Sequence, residues 1–287
     1  MIVAVVGASG VLGRALVPQL QSAGATVRAL VRSPEKARAT LPAATTVERF
    51  DLLDPADAPR LPALLRGADA VVHAATAIPS DFTAPGAWDR NTRLRVDGTR
   101  TLTQCATEAR VGIYVQQSIA LAYADGGDTW LDEDAPFDER QGGPITEPVR
   151  KMEAMVRALP ASVRWAILRG GNFTGPGTFQ DGLVERIRAG AEPVTGDGRA
   201  FLPLVHADDY AAAVVAAIER GPAGLVANVA DDPIRQAEYL DEIAWRVAAP
   251  PPPRRPDLPA PRSQRVSSAR AREALGWAPV RGVWPAR

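Results

Sequence analysis

The sequence predicts an α/β fold: a doubly wound parallel sheet with helices on both faces, followed by a smaller C-terminal lobe. Short β-branched runs alternate with helix-period stretches over most of the 287 residues, a pattern typical of right-handed βαβ units. Several of these runs are almost continuously apolar, as strands buried on both faces should be. After residue 170 glycine and proline become dense, which indicates a different, loop-rich part of the chain.

Seven segments have the composition of strands. They are predicted at 2–6, 25–31, 45–50, 69–75, 112–117, 163–168 and 225–230. Helices are predicted at 11–23, 87–109, 148–159, 207–220, 236–248 and 268–275. The proline-rich stretch at 250–262 can form neither a helix nor a central strand. We therefore divide the chain into a sheet domain, 1–170, to which strand 225–230 returns, and a smaller lobe, 171–287.

Composition excludes several classes of protein. Lys+Arg and Asp+Glu number 33 each, so nothing indicates a nucleic-acid partner. The single cysteine, Cys105, rules out an internal disulfide and suits a reducing compartment, and with only two histidines the chain lacks ligands for a zinc site. No apolar run approaches the ~18 residues of a membrane span, and the N-terminus lacks a basic region before its apolar residues. We expect a soluble, cytoplasmic protein without a membrane partner or a metal.

The stretch VVGASGVLGRALV places three glycines between the first strand and the first helix. Gly7, Gly10 and Gly13 form a GxxGxxG array in a predicted βαβ context. Glycines here allow a tight turn, close approach to a pyrophosphate and close packing of helix on strand, while the helix N-terminus supplies N–H donors. The array predicts dinucleotide binding, with a plain glycine turn as the alternative.

The ends of the second and third strands bear on which dinucleotide binds. Arg32, with Lys36 nearby, stands where an acidic residue would bind a ribose 2′-hydroxyl. Because arginine favours a 2′-phosphate, NADP(H) is favoured over NAD(H), the alternative being a solvated loop arginine. Asp51 closes the third strand, where its carboxylate could accept from an adenine amino group.

Six segments along the chain are typical of one family: GASGVLG (7–13), VVHAAT (71–76), VDGTRTL (96–102), ILRGGNFTGPG (167–177), GDGRAFLPLVHADDYAAA (196–213) and EALGWAP (273–279). In these segments the chain resembles the extended short-chain dehydrogenase/reductase superfamily, of the NAD(P)-dependent epimerase/dehydratase type. The resemblance implies a Rossmann-type dinucleotide-binding domain over 1–170 and a substrate-binding lobe over 171–287. It further implies a small-molecule substrate and allows a homodimer through helices 87–109 and 148–159.

The resemblance also implies which residues contact the cofactor. They are Gly7, Ser9, Gly10, Val11, Leu12, Gly13, Asp51, Leu52, Ala74, Ala75, Thr76, Lys151 and Asn172, and Arg32 joins them because of its charge. His73, beside the cofactor, and His206, at the junction of the lobes, are expected to have structural roles.

The catalytic positions depart from the family pattern. The family uses YxxxK, in which Tyr transfers the proton and Lys lowers its pKa and binds the nicotinamide ribose. Lys151 matches the Lys position, but Glu147 stands at the Tyr position. Ser118 lies one residue before the place of the family Ser, counted back from Tyr123, and Arg95 replaces the family Asn. Tyr123, expected to face the substrate cleft, is the fallback proton donor.

Glu147 admits two interpretations. A Glu four residues before a Lys is a favourable helical ion pair on a surface. In a cleft, desolvation would instead raise the pKa of Glu147 while Lys151 lowered it, which would leave a general base. The match to the family position favours the cleft.

The expected function is that of an NADP(H)-dependent oxidoreductase or epimerase/dehydratase-like enzyme with an altered acid/base set, acting on a carbonyl or alcohol substrate. Two alternatives stay open. One is a dinucleotide-binding protein without redox turnover, such as a sensor or an assembly subunit. The other is a redox-neutral enzyme that uses Glu147 for acid/base chemistry.

Overall fold

The computed structural model describes residues 1–79, 84–139 and 143–285. Its strands are Ile2–Val6 (β1), Thr26–Val31 (β2), Thr46–Arg49 (β3), Ala70–His73 (β4), Ile113–Ile119 (β5), Trp130–Leu131 (β6), Arg164–Gly170 (β7), Asn172–Thr174 (β8), Val194–Thr195 (β9), Phe201–Leu202 (β10), Leu204–His206 (β11), Leu225–Val229 (β12), Ile234–Arg235 (β13), Arg254–Arg255 (β14) and Arg265–Val266 (β15). Its α-helices are Val11–Ser22 (α1), Pro34–Arg38 (α2), Leu61–Leu65 (α3), Asp89–Arg93 (α4), Thr99–Glu108 (α5), Gly143–Arg157 (α6), Phe179–Arg188 (α7), Ala207–Arg220 (α8), Gln236–Arg246 (α9) and Ala269–Leu275 (α10). Two 3₁₀ turns, Ala58–Arg60 and Ala120–Ala122, and a π-helical turn, Leu94–Gly98, complete the secondary structure.

The main sheet has seven parallel strands in the order β3-β2-β1-β4-β5-β7-β12. The predicted α/β fold with a doubly wound parallel sheet is thereby confirmed. Chain order runs outward in both directions from β1, so a crevice opens at the carboxyl ends of β1 and β4. In open α/β sheets ligands bind in this crevice.

Apolar layers cover both faces of the sheet. Val3 and Val5 of β1 belong to one buried cluster, together with residues of α1 and α8. Ala4 and Val6, which point to the opposite face, belong to a second cluster with residues of α3 and α5. This alternation explains why the first strand is apolar throughout its length.

The C-terminal part of the chain is more interleaved with the sheet than the sequence indicated. A separate small core joins α7, α9 and β9, with Leu183, Ile187, Leu240 and Ile243 among its buried residues. As expected, β12 returns to the main sheet. Helices α8 and α10 return as well, since their apolar residues belong to the core on the α1 side. Among the described residues, no helix is long and apolar enough to cross a membrane.

The helix expected over 87–109 is interrupted. Helix α4 passes into the π-helical turn Leu94–Gly98 and only then into α5. The turn packs against α6, and a Cβ at Gly98 would lie 2.7 Å from Cδ2 of Leu52. Single π turns inside helices occur frequently at functional sites. This turn carries Arg95, the residue in place of the family Asn.

Candidate cofactor and active site

Two glycines hold the loop between β1 and α1 against neighbouring backbone. Gly7 has a φ of +88°, and a Cβ there would lie 2.7 Å from Cα of Ala75. At Gly13 a Cβ would lie 2.2 Å from the carbonyl oxygen of Ala8. A side chain cannot be accommodated at such distances, so both positions require glycine. The loop therefore lies directly against the segment that follows β4.

The third glycine leaves open space outside the loop. Gly10 is exposed, and a Cβ there would meet only the carbonyl oxygen of Gly7, at 3.2 Å. It is the N-cap of α1, and among the described residues no side chain caps this helix. Ser9 and Val11 are half-buried beside it, and Leu12 is buried. A helix N-terminus with free N–H groups and no acidic residue in its first turn is suited to a phosphate.

The carboxyl end of β2 lies beside this loop. The N–H of Gly7 donates to the carbonyl of Leu30 at 3.1 Å. Arg32 follows two residues later and is exposed. Within the described ranges its guanidinium has no hydrogen bond or ion pair, so it is free to bind a ligand. At the end of β3, Oδ2 of Asp51 lies 3.5 Å from Nη2 of Arg90.

The loop after β3 is held by a carboxylate that the sequence did not single out. Asp57 is buried and accepts from the N–H of Asp51 at 2.8 Å. It also pairs with Arg49 at 2.7 Å and with Arg60 at 2.8 Å. The hydrogen bond from the Asp51 backbone is the largest cause that lowers the pKa of Asp57. Asp57 thus positions Asp51 and the buried Leu52.

The remaining cofactor candidates lie along the same edge of the sheet. Ala74, whose N–H donates to the carbonyl of Val6 at 2.9 Å, leads from β4 into Ala75 and Thr76. Thr76 is exposed at this edge. Asn172 begins β8, close after the carboxyl end of β7, and is half-buried.

Glu147 and Lys151 form an exposed ion pair on α6. Oε1 of Glu147 lies 2.7 Å from Nζ of Lys151, and the side chains are 69% and 59% exposed. The hydrogen bond from Lys151 is the largest cause that lowers the pKa of Glu147. The buried residues of the helix, among them Val149, Met152 and Val156, lie on another face. The expectation that Glu147 is desolvated in a cleft is wrong, because its carboxylate is exposed and paired with Lys151.

The hydroxyl groups of Ser118 and Tyr123 are both turned inward. Oγ of Ser118 donates to Oε1 of Glu153 at 2.8 Å. The Tyr123 hydroxyl donates to Oδ1 of Asn228 and accepts from Nη1 of Arg169, each at 2.8 Å. Burial raises the pKa of Tyr123 to about 12. The expectation that Tyr123 faces a cleft is wrong, since Tyr123 is buried and its hydroxyl donates its hydrogen to Asn228 inside the protein.

A buried ion pair, which the sequence did not reveal, organises these hydroxyls. Arg169 donates from Nε and Nη2 to the two carboxylate oxygens of Glu153, at 2.9 and 2.7 Å. It also donates to the carbonyl of Glu133 at 2.8 Å, and the Glu133 carboxylate accepts from the N–H of Asn228 at 2.7 Å. The available signal was an arginine, Arg169, directly after the apolar run WAIL of β7. The network joins β5, α6, β7 and β12.

Comparison with known proteins assigns the family. The model of the NAD dependent epimerase/dehydratase family matches residues 3–230, which include the glycine loop, the buried Glu153–Arg169 ion pair and β12. The chain belongs to this family. It is an NAD(P)-dependent enzyme of the epimerase/dehydratase type.

One curated relative and two solved structures are similar to nearly the whole chain. A 3-diazoavenalumate denitrifying reductase from a Streptomyces species is 34% identical over 306 residues, covering 99% of this chain and 98% of the relative. The structure of MoeE5 in complex with UDP-glucuronic acid and NAD is 24% identical, with a TM-score of 0.79 and coverage of 98% and 95%. The human epimerase family protein SDR39U1 (isoform 2) with NADPH is 21% identical, with the same TM-score of 0.79 and coverage of 98% and 95%. The two structures show a shared fold.

The glycine loop fits the nicotinamide dinucleotide that an epimerase/dehydratase family member uses. Gly7 and Gly13 supply the close backbone contacts, and Gly10 leaves open the space before the N-terminus of α1. Within the described part of the chain, no cluster of three or more His, Cys, Asp or Glu residues could hold a metal ion.

Both histidines make hydrogen bonds within the fold. Nδ1 of His73 lies 3.1 Å from Oε1 of Gln116 and 3.2 Å from Oγ1 of Thr99. Burial lowers the pKa of His73 to about 4, so its ring is neutral at physiological pH. His206 caps α8 by accepting the N–H of Asp208 on Nδ1 at 3.1 Å. These contacts agree with structural roles.

Proposed function

We propose that this chain is an NADP(H)-dependent reductase whose hydride transfer does not need a tyrosine proton donor. One observation carries the proposal: Glu147, which the sequence resemblance assigns to the family's Tyr position, is exposed and ion-paired with Lys151. An ionised carboxylate cannot protonate a nascent alkoxide. The hydroxyl groups of Ser118 and Tyr123 are engaged inside the protein. Reduction of a carbonyl would therefore lack its usual proton source.

An acceptor that loses a leaving group needs no such proton. The relative at 34% identity is named as a denitrifying reductase of a diazo compound, and we extend this reaction class to the present chain. The reduced nicotinamide, when bound, supplies a hydride with its electron pair. At an aryl diazonium carbon a C–H bond forms, the C–N bond breaks, and dinitrogen leaves with the bonding pair. No proton is gained or lost by the substrate.

The residues of the chain would bind and orient the reactants. The N-terminus of α1, opened by Gly10, would hold the pyrophosphate, and Arg32 the 2′-phosphate. Asp51, positioned by Asp57, would accept from the adenine amino group. The buried Glu153–Arg169 pair would keep the carboxyl ends of β5 and β7 in fixed register beneath the substrate. Such positioning is the protein's contribution to cofactor chemistry.

The proposal is tested with benzenediazonium and a panel of ketones in the presence of NADPH deuterated at the nicotinamide C4. We expect NADPH oxidation, nitrogen release and deuterium in the benzene product, without ketone reduction. Glu147→Gln should change turnover by less than about twofold, whereas loss of a general base would cost about a hundredfold or more. Ketone reduction that collapses in Glu147→Gln would contradict the proposal, and cofactor binding without any oxidation would favour a non-catalytic sensor.

A further inference from the structure

Arg95 carries a buried guanidinium whose hydrogen bonds are incomplete among the described residues. The residue is 4% exposed, and among the described residues nothing hydrogen-bonds to its enclosed Nη1. The acid that attracts it is Glu153, whose two carboxylate oxygens already accept from Arg169. Burial lowers the pKa of Arg95 to about 10, so the group stays charged at neutral pH. A desolvated charge without a hydrogen-bonding partner is costly, and a ligand would remove that cost.

Neighbours on the same helical face indicate that Arg95 lies beside the carboxyl end of β4. Four residues earlier, Oδ1 of Asn91 accepts the N–H of Ala77 at 3.0 Å. Four residues later, Oγ1 of Thr99 lies 3.2 Å from Nδ1 of His73. Arg95 therefore lies between these contacts, level with the short segment that connects His73 to Ala77. That segment leaves β4 at the carboxyl edge of the sheet and contacts the glycine loop.

A second buried polar atom in this place also lacks a partner. Nε2 of His73 is enclosed and has no hydrogen bond to any described residue. Because the His73 ring is neutral, Arg95 carries the positive charge at this place. Arg95 also belongs to the π-helical turn Leu94–Gly98, a distortion often found at functional sites. The unpartnered nitrogens of Arg95 and His73, together with the π-helical turn, thus point to a ligand at Arg95.

We propose that Arg95 binds a carboxylate of the substrate, so that the reductase acts on carboxylic acids. The planar guanidinium matches a carboxylate in a bidentate, charge-assisted arrangement. The cofactor phosphates have other donors, at the N-terminus of α1 and at Arg32, which leaves Arg95 to the substrate. This assignment rests on the proposed function, because it takes the crevice as the substrate site.

Titration calorimetry with benzoate and its neutral isostere benzamide, on the NADP⁺-saturated enzyme, tests the proposal. Wild type should bind benzoate at least about tenfold more tightly than benzamide. Arg95→Met should abolish this preference. Arg93→Met, at an exposed arginine on the same helical segment, is the matched control and should keep it. The affinity for NADP⁺ should be equal in all three proteins.

Thermal unfolding gives a second measurement. Because Arg95 is an uncompensated buried charge in the free protein, Arg95→Met should melt at or above the wild-type temperature. Equal affinities of wild type for benzoate and benzamide, or unchanged benzoate binding by Arg95→Met, would overturn the proposal. So would weaker NADP⁺ binding by Arg95→Met, which would assign the guanidinium to the cofactor, or a clearly lower melting temperature, which would reveal a partner within the protein. A wild type that fails to bind NADP⁺ would instead refute the proposed cofactor use, and benzoate titration of the free enzyme would still test Arg95.

Discussion

Three arginines of the site differ in how fully their charge is compensated within the protein. Arg169 is buried and makes a bidentate pair with Glu153. Arg32 is exposed, and among the described residues its guanidinium is unpaired. Arg95 is buried, and Nη1 has no described partner. A compensated buried charge organises the fold, whereas an uncompensated charge at a crevice is available to a ligand. We therefore propose Arg32 and Arg95 for the recognition of anionic groups, whereas Arg169 holds neighbouring elements of the fold together.

Arg32 should determine the choice between the two nicotinamide cofactors. Wild type should bind NADPH more tightly than NADH, because a guanidinium fork can form charge-assisted bonds with the 2′-phosphate. Arg32→Ala should weaken NADPH binding by about tenfold or more, equivalent to about 1.4 kcal/mol, and leave NADH binding unchanged. Arg38→Ala, at an exposed arginine of α2, is the control. Calorimetry measures all of these affinities, and equal wild-type affinities for NADPH and NADH would contradict the prediction.

At the scale of elements, local patterns predicted the strands well and the faces of helices poorly. Each strand of the main sheet was predicted to within two residues at either end, because β-branched runs and periodicity are local signals. The π-helical turn at Leu94–Gly98 was not foreseen, since it depends on packing against α6 and Leu52. Spacing placed Glu147 at the Tyr position, but which way it points depends on how α6 lies on the sheet.

In the candidate site, too, features formed by neighbouring residues could be predicted, and features formed by distant residues could not. The glycine loop could be predicted because its three glycines lie within seven residues, and their roles follow from backbone conformation. The hydrogen bond between Tyr123 and Asn228 joins positions 105 residues apart. A single sequence contains no signal for such a pair, so Tyr123 could not be recognised as internal.

Two substitutions in the loop between β1 and α1 should have different effects, one on cofactor binding and the other on folding. In Gly10→Val the added side chain enters the open space before the helix and should reduce NADPH binding by about a hundredfold or more, because it blocks backbone contact with the pyrophosphate. Stability should fall by only about 1 kcal/mol, the usual cost of a poor N-cap. In Gly13→Val the side chain would collide with Ala8, so this variant should not fold. Circular dichroism and calorimetry distinguish the two variants, and normal NADPH binding by Gly10→Val would contradict the placement of the phosphate.

At the scale of the whole molecule, one buried polar network connects distant parts of the chain. Glu153 of α6 and Arg169 of β7 form its centre. From there Arg169 donates to the carbonyl of Glu133. The carboxylate of Glu133 accepts from the N–H of Asn228 of β12 and pairs with Arg270 of α10 at 3.2 Å. The returning C-terminal elements are thus attached to the central strands by hydrogen bonds as well as by apolar packing. Because low-dielectric surroundings strengthen such bonds, the network should unfold as a unit with the sheet.

Removal of one charge from this network should destabilise the entire fold. Glu153→Gln leaves Arg169 buried beside a neutral amide, and a buried ion pair broken in this way typically costs about 3–5 kcal/mol. Urea unfolding should therefore show a single, cooperative transition at a much lower midpoint. Glu147→Gln removes the same charge from the same helix at an exposed pair, and its midpoint should match wild type. In the double variant Glu153→Gln/Arg169→Met the midpoint should recover in part, since Arg169 no longer leaves a buried guanidinium without its acid. A midpoint for Glu153→Gln equal to that of Glu147→Gln would mean that water reaches Arg169, and that the Glu153–Arg169 pair contributes little to the stability of the fold.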